Sequence, residues 1–127
     1  MEDAELITGG NISGEVLHIG STVRKPWTGS TPNIHSFMSA LRRAGVCVPR
    51  VYGSDEQSRQ IIEFIPGLLA SDSGRLTHSE LHEVGVAVPA IHAVSAEFIP
   101  SIGASWDVAI PPPAEELICH NDLARGI

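Results

Sequence analysis

The stretch "NISGEVLHIGSTVRKPW", residues 11–27, sets the fold. Val16, Leu17 and Ile19 on one side of Gly20-Ser21, and Thr22 and Val23 on the other, are the β-branched and apolar residues of two short strands. A glycine-containing pair between two such runs predicts a β-hairpin of 16–19 with 22–24. After Trp27 the apolar period changes. In "STPNIHSFMSALRRAG" (30–45), Ile34, Phe37, Met38 and Leu41 recur at i, i+3, i+4 and i+7. That spacing predicts a helix over 32–44, with Thr31 as N-cap, Pro32 at the first helical position and Gly45 as the stop.

The next segment, "CVPRVYGSDEQSRQIIEFIPG" (47–67), reads as a strand at 50–53, a polar turn from Ser54 to Ser58, and a strand from Gln60 to Ile65 closed by Pro66-Gly67. In "THSELHEVGVAVPAIHAV" (77–94), Thr77 and Glu80 have the spacing of a capping box. Leu81, Val84, Val88 and Ile91 then share a helix face, and Pro89 is expected to kink the helix by displacing the bond to the Gly85 carbonyl. The triple proline of "SIGASWDVAIPPPAEE" (101–116) implies extended chain leading to a short strand at Leu117–Cys119. The layout is α+β: an antiparallel sheet with one helix over residues 1–66, then the start of a helical unit over 67–127.

At 127 residues the chain suits one modest core. An apolar content of 43% with 18% charged residues marks a folded rather than a disordered chain. Eight basic residues stand against fifteen acidic ones, net charge -7, and the longest basic runs are the pairs Arg24-Lys25 and Arg42-Arg43. There is no basic stripe to displace phosphate counterions, which argues against nucleic acid as a partner. The start "MEDAELITGG" lacks the apolar core of a secretory leader, and the apolar run "VGVAVPAI" (84–91) is far too short to span a membrane, so the cytoplasm is the expected compartment. Cys47 and Cys119, far apart and each in an apolar setting, read as buried free thiols.

Taken in order, "GGNISGEVLHIG", "TVRKP", the helix "PNIHSFMSALRRAG", "VPRVYGSDEQSRQIIEFIPG", "AVPAIHAV" and "ICHNDLA" cover nearly the whole chain. Together they resemble the aminoglycoside phosphotransferase and choline kinase-like family, which shares the protein-kinase fold. The resemblance implies a nucleotide-binding N-lobe, ATP and Mg2+ as cofactors, and phosphoryl transfer to a hydroxyl of a small molecule.

It also implies roles for particular residues. Gly10 and Ser13, in the small-residue turn "GGNISG" (9–14), would let backbone N–H groups approach phosphate oxygens; from spacing alone the same glycines fit an ordinary hairpin turn. The cation that holds the phosphates is Arg24 or Lys25. An apolar residue directly before the cation favours Arg24, whereas the face that Val23 and Lys25 share favours Lys25; the family pattern is given the greater weight, and Arg24 is the expected cation. The helix over 32–44 has no acidic residue to pair with that cation, leaving His35 or Ser39 to orient it, although His35 reads better as a surface or half-buried histidine. Glu63, Phe64 and Ile65 lie where the family's hinge bonds adenine through the main chain.

His78 and His82, at i and i+4, match a metal pair only in spacing, since the zinc-protease pattern wants Glu directly after the first His. His92 reads as a structural histidine. In "ICHNDLARGI" (118–127) the resemblance makes Asp122 the group that takes the hydroxyl proton and His120 the residue that fixes the loop. The family's metal-binding Asn would fall at Ile127, and its second metal-binding Asp later still. The sequence reading therefore expects a chain cut off after the catalytic loop, inactive alone and prone to self-association through exposed apolar surface. Its alternative is a non-catalytic nucleotide-binding or oligomeric interaction module.

Overall fold

The structure is a computed structural model, and it describes residues 4–7, 15–67, 74–100, 103 and 106. Five strands form one sheet in the order β1-β2-β3-β5-β4, every neighbouring pair antiparallel. They are β1 (Ala4–Leu6), β2 (Leu17–Ile19), β3 (Thr22–Pro26), β4 (Val51–Ser54) and β5 (Arg59–Glu63). Helix α1 (Thr31–Arg43) connects β3 to β4, and α2 (His78–Glu97) comes after the sheet. The chain is α+β, as expected.

The hairpin of β2 and β3 pairs Ile19 with Thr22, leaving Gly20 and Ser21 as the loop. Gly20 has φ +60°. Positive φ at the first loop position fits a type II′ turn, whose twist matches that of the strands. β5 lies between β3 and β4, so it is paired on both edges. Its alternation puts Ile62 opposite Val23 and Gln60 opposite Lys25 on one face, and Ile61 opposite Arg24 on the other.

Thr31 is the first residue of α1 rather than its N-cap. Ser30 holds the cap position without a side-chain cap bond, and the Thr31 hydroxyl accepts from the Thr28 N–H at 2.9 Å. Thr31 is 1% exposed, so burial of the short polar turn before α1 has displaced the local capping preference. Gly45, at φ +89°, ends the helix as expected. Leu41 of α1 and Val23 of β3 are the buried apolar residues among those described.

α2 starts with the capping box: Thr77 Oγ1 accepts from the Glu80 N–H at 3.2 Å, and Glu80 Oε2 accepts from the Thr77 N–H at 2.6 Å. It runs unbroken through Pro89. The apolar face anticipated for it is open at its first turns, where Leu81 and Val84 are exposed, while Val88 and Ile91 are half-buried. Beyond α2, Phe98 and Trp106 meet Phe37 of α1 edge-on, with centroids 5.3 to 6.3 Å apart. This aromatic cluster fastens the far end of α2 to α1.

Cys47 is exposed, contrary to its apolar sequence setting, because it lies in the loop between α1 and β4. His92 is exposed too, so it is not a packed structural histidine. Among the described residues no helix is long and apolar enough to cross a membrane. The strand anticipated at Leu117–Cys119 lies outside the described residues.

Candidate functional site

Two adjacent cations on β3 cannot point the same way, because successive side chains of a strand alternate. Arg24 shares a face with Thr22, to whose Oγ1 its Nε donates at 3.1 Å. Its Nη1 donates to Asp55 Oδ2 at 3.0 Å. Asp55 occupies the turn between β4 and β5 and also accepts from the Arg59 Nε at 2.8 Å and from the N–H groups of Gln57 and Arg59 at 2.9 Å each. Burial opposes ionisation of Asp55, but the bonds from Arg59, Arg24 and the Gln57 N–H outweigh it and hold the carboxyl well below the usual carboxylate range. Arg24 is thereby tied to a turn.

Lys25 lies on the opposite face, where it pairs in register with Gln60. It is half-buried and makes no hydrogen bond or ion pair with any described residue. α1 packs over this face: His35 Nε2 is 3.0 Å from Gln60 Oε1, and Gln60 Nε2 donates to the Pro26 carbonyl at 3.1 Å. A carbonyl only accepts, so the Gln60 amide nitrogen faces Pro26, its oxygen faces His35, and His35 donates from Nε2. His35 is buried rather than surface or half-buried, and its ring meets Trp27 edge-on at 5.6 Å. The cost of burying an imidazole is offset by that bond.

Phe64 lies just past the other end of β5. Its ring stacks on His18 with centroids 3.8 Å apart at 18°. His18 is the register partner of Val23, and the Phe64 N–H donates to the Ser21 carbonyl at 2.9 Å. The Glu63 carboxylate accepts from the Arg50 N–H at 3.3 Å, and the Glu63 N–H donates to the Arg50 carbonyl. Ile65 is exposed, and its N–H has no partner among the described residues.

The structure thus places Lys25 on the face of the sheet that α1 meets through His35, leaves Phe64 against His18 and Ser21 beyond the other end of β5, and assigns Arg24 to the Asp55 turn. Gly10, Ser13, His120 and Asp122 lie outside the described residues. His78 and His82 are exposed on α2, and among the described residues no group of three His, Cys, Asp or Glu is placed to hold a metal ion. Sequence reasoning missed the Asp55 hub. The i, i+4 pair in "DEQSR" (55–59) was a local signal for Asp55 with Arg59, but nothing local marks Arg24 as the third member. No family model matches the chain, and neither does any curated protein or solved structure.

Proposed function

We propose that the sheet with α1 is the nucleotide-binding lobe of an ATP-dependent phosphotransferase, similar to the aminoglycoside phosphotransferase and choline kinase-like family, whose acceptor is a hydroxyl of a small molecule. The observation that carries this reading is Lys25: a half-buried cation on the α1 side of the sheet with no partner among the described residues. A charge held out of bulk water without a counter-ion is costly unless an anion arrives. Polyphosphate is such an anion, and an ammonium offsets the repulsion among its oxygens. The N–H of Ile65, unpaired among the described residues, adds a main-chain donor at the end of β5, suited to a ring nitrogen of a base.

On this reading Gly10 and Ser13 approach the phosphates, Asp122 takes the hydroxyl proton and His120 steadies the loop. Mg2+ would arrive with the nucleotide and neutralise charge on its phosphate oxygens; Ile127 stands where the family's metal-binding Asn would fall, so no residue of this chain is assigned to the metal. The cytoplasm, where ATP and small hydroxyl metabolites meet, is the fitting compartment. The test is a titration of the isotopically labelled chain with MgATP, monitored by amide resonances. Shifts concentrated at 23–25 and 63–65 are expected; unmoved resonances there at millimolar nucleotide would overturn the reading.

A second reading has its own observation. Leu81 and Val84, three positions apart on one face of α2, are each about half exposed, at 53% and 49%. Apolar side chains clustered in this way favour an interaction module that pairs α2 with a second copy of the chain. Sedimentation at micromolar concentration should then show dimers that Leu81→Ser with Val84→Ser dissolves, and a single monomeric species at all concentrations would remove this alternative.

A further inference from the structure

A groove of about 780 Å3 runs between α1 and the start of β4; its lining includes His35 and Ser39 but not Lys25. Arg42, Arg43 and Arg50 line it. Three of the chain's eight basic residues therefore meet in one concavity, and among the described residues no acidic one lines it. In a chain of net charge -7 this is a local reversal of sign.

Helix electrostatics accounts for part of it. Arg42 and Arg43 occupy the last turn of α1, where cations are favoured, and Arg42 Nη1 donates to the Val48 carbonyl at 3.1 Å. Arg50 belongs to a different segment, just before β4, and gains nothing from that dipole. The guanidiniums of Arg43 and Arg50 have no partner among the described residues. The negative end of α1, about half a unit charge, is outweighed by three full positive charges. Ser36 and Ser39 add hydroxyl donors along α1, and Tyr52 and Phe98 supply an aromatic wall.

We propose that this groove binds a soluble organic phosphomonoester, its dianion on the guanidiniums and serine hydroxyls and its apolar body against Tyr52 and Phe98. Planar guanidiniums suit phosphate oxygens because they can bond two at once. A membrane headgroup shares the phosphate chemistry, but a chain of net charge -7 is repelled by an anionic bilayer surface.

The experiment is a titration of the intact chain with phenyl phosphate, monitored by amide shifts and calorimetry. Shifts at Ser36, Ser39 and Tyr52 are expected, with affinity at least about fivefold above that of inorganic phosphate. The Arg43→Gln, Arg50→Gln double variant, which removes two charge-assisted contacts, should bind at least about tenfold more weakly. The exposed single change Arg43→Gln provides the same comparison should the double variant fold poorly. Lys25→Gln should leave phenyl phosphate affinity unchanged, which keeps this proposal separate from the nucleotide reading. Affinity should fall as the phosphate dianion takes up a proton below about pH 6. Unchanged affinity in the arginine variants, or loss on Lys25→Gln alone, would overturn the proposal. So would capture of the chain by vesicles containing phosphatidic acid with no response to phenyl phosphate.

Discussion

Arg24 and Asp55 are 31 positions apart in sequence, and their side chains meet at 3.0 Å. The bond ties β3 to the turn between β4 and β5, across the strand that separates them in the sheet. It engages the cation that directly follows Val23 and leaves its neighbour Lys25 on the other face with no partner among the described residues.

Asp55→Asn keeps the shape of the side chain and removes its charge, so it weakens both guanidinium bonds while retaining acceptors for the turn. The thermal midpoint should fall by several degrees. The pH dependence is the sharper check. The unfolded carboxyl titrates near pH 4, and the folded one is held well below that by Arg59, Arg24 and backbone N–H groups against the opposing effect of burial. Between those values the unfolded chain binds more protons, so stability rises with pH. The contribution of Asp55 is present above about pH 5 and is lost as pH falls below about 4. Chemical denaturation from pH 2 to 6 should give a flatter profile for Asp55→Asn; an equally steep one would show that other carboxylates govern acid unfolding.

Thr31→Val tests the turn that precedes α1. The change is nearly isosteric, but it removes the oxygen that accepts from the Thr28 N–H and sits 3.3 Å from the Thr28 hydroxyl. At 1% exposure no water can replace that oxygen. A buried donor left unpaired costs about 1–3 kcal/mol, and because the Thr28 N–H is only partly buried, urea unfolding should show a loss toward the low end of that range. A neutral substitution would mean that the turn rearranges.

The features legible in the sequence were local ones. The hairpin around Gly20-Ser21, the period of α1, the Ser54 to Ser58 turn and the capping box of α2 are each specified by residues within a few positions of one another, and all four are present. β1 escaped separate notice because three residues carry no period, and its strand character comes from pairing with β2. The same limit hid two pairings around β3. Apolar context suggested Arg24 for the phosphates, but the carboxylate that engages it belongs to a turn whose position relative to β3 is set only when β5 inserts between β3 and β4. His35 read as a surface or half-buried histidine because its partner, Gln60, lies 25 positions away.

Thr77→Ala should act locally. It removes the hydroxyl that accepts from the Glu80 N–H and breaks the reciprocal box at the start of α2. Cap losses of this type cost about 1 kcal/mol. Because the first turn of α2 is exposed and distant from the sheet, hydrogen exchange should quicken about fivefold at 80–82 while amides of β3 and β5 stay as protected as before. Uniform acceleration throughout the chain would instead indicate that α2 and the sheet unfold as one unit.

The two cations of β3 allow the nucleotide reading to be separated from plain loss of fold. Arg24→Gln breaks the ion pair with Asp55, so it should lower the thermal midpoint by several degrees. Nucleotide affinity at a temperature where the variant is folded should change less than twofold, because Arg24 faces away from α1. Lys25→Gln should do the reverse. Lys25 has no partner among the described residues to lose, so stability should hold or rise slightly as an uncompensated charge leaves a half-buried position. A charge-assisted bond to phosphate contributes roughly 1.5–3 kcal/mol, which corresponds to a drop in MgATP affinity of about ten- to a hundredfold. Adenosine has no phosphate, so its binding should be unaffected by Lys25→Gln, and the difference between the two ligands should shrink as salt is raised. If MgATP affinity instead tracks Arg24 and ignores Lys25, the phosphates lie on the Asp55 face of the sheet, and the assignment of the two faces must be exchanged.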